Sequence, residues 1–267
     1  MKINQVKIQT LRRQSCPAGW AIIAATLLAA GSQAASVTFQ NSVTIANTSA
    51  LDAPLLSYPG ATLMQAVSFG WPPTGQIVIT TGGQTINFTG ANPTWGEPGD
   101  TASTLYRAGG ENNAALWSGT TDSAAFDGVL QSQGWCNTGS SFSPSGVRLG
   151  GLTAGSLYVV ELLASDMRSG SAGRTQQYWD SAGFTGSASD SFSVQAPTYV
   201  LASFTADASG YQDIFIKDTR DLTGTWDTTF AGFTVYNVAA VPEPGTWALL
   251  SGGLGLLAFG LRRRALK

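Results

Sequence analysis

The run Ser156 to Ala164, SLYVVELLA, constrains this chain more than any other. It follows the turn Leu149-Gly150-Gly151-Leu152-Thr153-Ala154-Gly155, and its Leu, Val and Tyr content reads as a strand buried near the centre of a sheet. Strand alternation places Leu157, Val159, Glu161 and Leu163 on one face and Tyr158, Val160, Leu162 and Ala164 on the other. Glu161 is then a charge on an otherwise apolar face, which demands a partner if that face is covered. Arg174, which opens the next strand, is the expected structural partner, because a guanidinium fork suits a half-buried carboxylate.

Further strands are predicted on either side. Upstream they are Ser36 to Ile45, Thr62 to Phe69, Gln76 to Thr80 and Thr85 to Phe88, the last two joined by a Gly82-Gly83 hairpin turn. Downstream they are Arg174 to Asp180, Ser191 to Gln195, Thr198 to Ala206, Tyr211 to Lys217 and Thr228 to Val238. No run carries an amphipathic helical period and no period repeats, so the expected fold is all-β, an antiparallel β-sandwich. The stretch 90–146 is rich in Gly, Ser, Thr, Asn and Pro, with Trp95, Tyr106, Trp117, Phe126 and Trp135 widely spaced. It reads as long loops and short strands pinned by aromatics, since so many large rings do not suit a solvated linker.

Both ends read as export signals. Lys2, Lys7, Arg12 and Arg13 precede an apolar run from Ala18 to Gly31 and the small residues Ser32-Gln33-Ala34, the layout of a secretory signal peptide cut after Ala34. The other end runs VPEPGTWALLSGGLGLLAFGLRRRALK, a proline-bounded turn, an uncharged stretch 246–261 and the basic stop Arg262, Arg263 and Arg264. This stretch is slightly short of the roughly 20 apolar residues of a comfortable membrane span, and thinning or snorkelling would let it cross. The expected organisation is a signal helix over 1–34, a β-sandwich domain over 35–240 and a sorting tail over 241–267 with a short transmembrane helix.

The order of parts in that tail resembles the PEP-CTERM sorting signal of exported bacterial proteins, with Pro242, Glu243 and Pro244 matching the motif. The resemblance implies transient anchoring in the inner membrane, cleavage by an exosortase after passage through the general secretory machinery, and release to the cell surface or the extracellular matrix. The body carries a second resemblance. The Tyr158 to Asp166 strand, Arg174, the Phe204 to Asp207 segment and the closing strand Phe230 to Tyr236 are similar to jelly-roll domains of the galactose-binding-like group. That likeness implies glycan ligands on edge loops or a concave sheet face, and a structural calcium ion elsewhere.

Charge and composition exclude several functions. Between residues 35 and 240 six basic residues stand against fifteen acidic ones, so the body does not track nucleic acid. The chain has no histidine, which removes Ser-His-Asp chemistry, histidine-ligated zinc and any Cys-His pair involving Cys136. Cys136 is left without an intramolecular partner once Cys16 departs with the signal; it reads as a small buried hydrophobe, with an intermolecular disulfide as the alternative. Glu97, Asp100, Asp122, Asp127, Asp166, Asp190 and Asp207 lie in oxygen-rich loops that suit calcium, yet none forms the twelve-residue calcium loop, and solvated acids are the plainer reading.

Three functions remain. The first is a non-catalytic surface or matrix protein, anchored in the inner membrane and processed at its tail. The second is a carbohydrate-binding module that recognises extracellular polysaccharide through aromatics and carboxylates, with Trp179 beside Asp180 the pair to test first and Trp135 and Trp117 behind them; as core residues these rings would bind nothing. The third is a glycoside hydrolase using Glu161 and Asp180, which would need the two carboxyl groups about 5 to 9 Å apart. Nothing in the sequence marks such a pair, and the chain is read as having no enzymatic activity.

Overall fold

The computed structural model describes residues 36–45, 61–70, 76–81, 84–94, 98, 102–112, 123–137, 145–166, 173–219 and 227–238. The chain divides after Ala34, and everything described here belongs to the second unit.

The larger sheet has eight strands. At its centre β10 (Leu157–Ala164) lies between β13 (Thr198–Thr205) and β16 (Gly232–Val238), with Val160 opposite both Ala202 and Val235. The short strands β1 (Thr38–Phe39) and β2 (Val43–Thr44) extend it beyond β13. Beyond β16 come β3 (Ala61–Phe69), β5 (Gln84–Ala91) and β4 (Ile77–Thr81). The second sheet has five strands, in the order β12 (Phe192–Ser193), β11 (Thr175–Trp179), β14 (Gln212–Asp218), β9 (Gly146–Leu149) and β6 (Thr104–Tyr106). A third, of three strands, joins β15 (Asp227–Phe230), β8 (Ser132–Asn137) and β7 (Gly109–Asn112).

One core fills the space between the two main sheets. Tyr158, Val160, Leu162 and Ala164 of β10 meet Leu105, Val147, Leu149, Tyr178, Ile214 and Ile216 of the five-stranded sheet. Phe230 ties the third sheet to both, since its ring lies 5.8 Å from Phe69 and 5.9 Å from Tyr178. The alternation read in SLYVVELLA therefore assigns its faces correctly. A second core lies on the opposite side of the large sheet, where Leu163 and Ala66 are covered by Ile79, Ile86 and Phe88 of the β4–β5 hairpin and by one helix, α1 (Ala124–Gln131).

The structure corrects the expected all-antiparallel, helix-free sandwich in three respects. First, β3 and β5 run parallel over Val67–Phe69 and Thr89–Ala91. The β4–β5 hairpin, closed by Thr81 opposite Gln84, puts its second strand inward, and that strand has the direction of β3. Second, α1 stands in the stretch read as loops. Ser123 caps it by accepting from the Phe126 N–H at 3.3 Å, and Phe126, Val129 and Leu130 form its buried stripe at helical spacing. Third, no helix among the described residues is long and apolar enough to cross a membrane. The expected signal helix over 1–34 and transmembrane helix over 246–261 fall outside the described residues, and the architecture stated for this chain includes neither.

Candidate functional site

The side of the five-stranded sheet that faces away from the core is where the aromatics gather. In β11 the side chains of Gln176 and Tyr178 are buried, while Thr175, Gln177 and Trp179 are only partly covered. In β14, Ile214 and Ile216 point inward, leaving Asp213, Phe215 and Lys217 on the other face. Trp179 is paired with Phe215, and Gln177 with Lys217. Phe215 is paired with Gly146 of β9, and Gly146 with Tyr106 of β6. Tyr106 meets Phe215 edge to face, with centroids 6.4 Å apart. Gly146 makes that contact sterically feasible, because a Cβ there would lie 2.6 Å from the Tyr106 hydroxyl. The result is a row of rings, Trp179, Phe215 and Tyr106, laid across the four strands β11, β14, β9 and β6, of which Trp179 and Phe215 are partly open and Tyr106 is buried.

Both ends of the row are held by strained backbone. Among the described residues Phe184 (φ 51°) and Arg107 (φ 54°) are the non-glycine residues with positive φ, and each borders this face. Such conformations cost about 1–3 kcal/mol and persist where the surroundings impose them. At one end the turn after β11 is pinned by Ser181, whose Oγ accepts from the N–H groups of Thr185 and Gly186, both at 3.2 Å. It sets the Phe184 ring 5.9 Å from Trp179 at 71°. At the other end the Arg107 guanidinium lies 5.8 Å from the centre of the Tyr106 ring.

Charges punctuate the row. The Lys217 ammonium lies 5.5 Å from the Trp179 ring centre and 5.2 Å from that of Phe184. Arg148 and Asp213 form a bidentate pair at 2.8 and 2.6 Å, and the same guanidinium lies 3.7 Å over the Tyr211 ring. The hydrogen bond to Asp213 raises the Arg148 pKa further above its ordinary value. Asp180 accepts from the Ser187 N–H at 2.8 Å through Oδ1. The Trp179 indole N–H is shielded and lacks an acceptor among the described residues, a cost that ring packing must offset.

Of the residues singled out from the sequence, Trp179 and Asp180 thus stand together at one end of this face. Trp135 lies apart from them in β8, paired with Gly109 and Thr229, and Trp117 lies outside the described residues. Cys136 sits in β8 opposite Thr228. Sequence reasoning missed Phe215, Lys217, Tyr106 and Phe184. The signal for the first two was present, because alternation in QDIFIKD opposes Phe215 and Lys217 to the two isoleucines.

The expected Glu161–Arg174 pair does not form. Arg174 binds Asp166 instead, at 2.9 Å, because Asp166 lies beyond the end of β10, whereas Glu161 sits mid-strand on the face turned away from the five-stranded sheet. Glu161 is 1 % exposed; its Oε2 accepts from Thr234 Oγ1 at 3.1 Å, and Oε1 has no partner among the described residues. Burial pushes its pKa up to about 8, with the Thr234 hydrogen bond opposing the shift. The same argument separates the carboxylates proposed as a catalytic pair. Glu161 belongs to the large sheet's outer face and Asp180 follows β11 of the other sheet.

No group of three metal-ligating side chains occurs among the described residues. Several acids considered for calcium are engaged otherwise: Asp190 accepts from the Ser42 N–H and hydroxyl, both at 2.7 Å, Asp207 from the Ser209 N–H at 2.8 Å, and Asp166 from Arg174. Asp127 lies in the first turn of α1, and Glu97, Asp100 and Asp122 are outside the described residues. A separate cleft of about 390 Å³ opens where β3 and β5 diverge, lined by Met64, Gln65, Asn87, Thr89 and Ser103 among others. Its walls carry neither an aromatic ring nor a charge.

Comparison with known proteins identifies one segment. Residues 240–264 match the PEP-CTERM protein-sorting motif, so such a motif stands near the C-terminus, as Pro242, Glu243 and Pro244 implied. No curated protein and no solved structure matches the chain, and the jelly-roll likeness of the body rests on its strand pattern alone. The reading of the chain as a surface protein held transiently in the inner membrane is corrected on the same evidence. The motif supports sorting by an exosortase and the secretory machinery, while no described helix is available to anchor the protein.

Proposed function

We propose that this protein is an exported carbohydrate-binding module that recognises extracellular polysaccharide on the open face of the five-stranded sheet. One observation carries the reading: Trp179 and Phe215 stand side by side and partly open on the side of the sheet opposite its core, with Phe184 and Lys217 against Trp179 and the buried Tyr106 packed against Phe215. Sugar rings present C–H faces that stack on aromatic rings, and their hydroxyls are read by amides and carboxylates such as Gln177 and Asp180. The sorting motif at 240–264 supports export.

Binding without catalysis is the coherent reading of this face. Among the described residues its carboxylates are committed, Asp213 to Arg148, which is also its cross-strand partner, and Asp180 Oδ1 to the Ser187 backbone. Affinity electrophoresis of the protein through gels containing polysaccharides tests the proposal. Trp179→Ala is expected to weaken retardation at least about tenfold, the loss typical of an aromatic anchor. An unchanged mobility shift in that variant, with its thermal unfolding still cooperative, overturns the reading.

A further inference from the structure

The proposed face says more about its ligand than that it is a sugar. The body of the chain is strongly acidic, yet the row of rings carries cations. Arg148 is neutralised by its bidentate contact with Asp213. Lys217 is not: among the described residues its ammonium meets two ring faces, Trp179 and Phe184, and no carboxylate lies within ion-pair distance. The positions that bring it there are specific. β14 pairing sets Lys217 opposite Gln177, one step diagonal from Trp179, and the Ser181-pinned turn holds Phe184 in a left-handed conformation on its other side.

Resting on the carbohydrate-binding reading, we propose that the ligand is an acidic polysaccharide, whose carboxylate is taken by Lys217 while its ring faces lie along Trp179 and Phe215. Two rings position the lysine stem and ammonium, so little side-chain freedom is left to lose on binding. A carboxylate on the sugar completes the charge that the protein leaves unpaired. Asp180, at the same end, accepts from ligand hydroxyls through its second oxygen. A lysine set beside hydrogen-bond acceptors suits a glycan in which acidic and neutral groups alternate, and disfavours a densely sulfated chain. The net negative charge of the body works against any polyanion at long range, so recognition depends on this local contact.

The test uses the full-length chain and three acidic polymers, polygalacturonate, alginate and hyaluronan, each beside a counterpart whose carboxylates have been reduced to primary alcohols. At least one acidic polymer is expected to retard the protein more than its reduced counterpart. Lys217→Met, which keeps an apolar stem between the rings, should weaken that binding about fivefold and weaken binding of the reduced polymer by much less, so that the preference for the acidic form is lost. Added salt should erode the wild-type preference and have little effect on the variant. Equal binding of acidic and reduced forms overturns the inference, as does full acidic preference in Lys217→Met. Binding that survives Trp179→Ala overturns the underlying carbohydrate reading instead, so the two failures are told apart.

Discussion

Each main sheet turns one side to the common core and has another side left over, and the two leftover sides have met different fates. Behind the large sheet, α1 and the β4–β5 hairpin close over Leu163, Ala66 and Ala231, and the same face carries the buried Glu161 carboxyl. Behind the five-stranded sheet Trp179, Phe215 and Lys217 stay partly open, and only the far end of the row, Tyr106, is buried. Both faces follow the same two-residue alternation. The difference lies in what the strands place there: aliphatic side chains that invite a covering layer, against rings and charges that can remain in water. A carboxyl trapped under the first cover is isolated and holds its proton at neutral pH, whereas a charge on the second face is available to a partner.

The sharpest way to break this contrast is to remove a ring from each side. Phe126→Ala, under the α1 cover, is expected to cost about 3–5 kcal/mol in urea unfolding, the usual loss for a fully buried phenylalanine. Phe215→Ala, on the open side, should cost about 1 kcal/mol, the worth of its aromatic contact. Equal losses would mean that the two faces are not energetically distinct.

Glu161 sharpens the comparison through pH. Below about pH 4.5 the carboxyl is protonated in folded and unfolded chains alike. Between that pH and about 8 only the unfolded chain releases the proton, so the folded state binds more protons and stability falls as pH rises. Above about 8 both states are ionised and the loss is complete. The groups facing Glu161 are Thr234 of β16, which donates to it, and the phenols of Tyr199 on β13 and Tyr236 on β16. Burial raises both phenols, Tyr236 to about 12, with the Glu161 charge adding to it, so neither titrates in this window. Glu161→Gln should therefore flatten the decline in melting temperature between pH 4.5 and 8 and raise it at pH 8; the wild-type slope persisting in the variant would show that another group causes it.

Two further substitutions test the devices that build each face. Gly146→Ala introduces a Cβ against the Tyr106 ring and the Ile214 carbonyl, and should cost about 1–3 kcal/mol while reducing polysaccharide binding. Ser123→Ala removes the cap of α1 and should cost about 1 kcal/mol without altering the open face. A binding defect in Ser123→Ala would couple the two sides in a way their packing does not suggest.

How much of this was legible follows from where the information resides. SLYVVELLA, TYVLASFT and QDIFIKD alternate or run apolar within a single segment, so their strands were readable to within a residue or two. The stretch from Gly90 to Gly146 was not, because β6 and β7 are three and four residues long and β7 contains two glycines. Strands so short are specified by their neighbours: Leu105 is placed by Val147, and Gly134 must lack a side chain because Leu105 occupies that space. The helix α1 was legible in principle from Ser123 and the Phe126, Val129, Leu130 spacing, but eight residues offer barely two turns to read. At the site, Trp179 and Asp180 stood next to each other in sequence and were found. Tyr106 reaches Phe215 only across β9, a relation that appears once strand order is known.

The position of β16 has a consequence for timing. It lies between β10 and β3, so without it the large sheet falls into two pieces, and it ends at Val238, just ahead of the sorting motif that begins at residue 240. A nascent chain therefore acquires the last described strand and the sorting motif almost together. Truncated products that stop before residue 232 possess neither, so the order of synthesis itself keeps incomplete sandwiches out of the sorted pool.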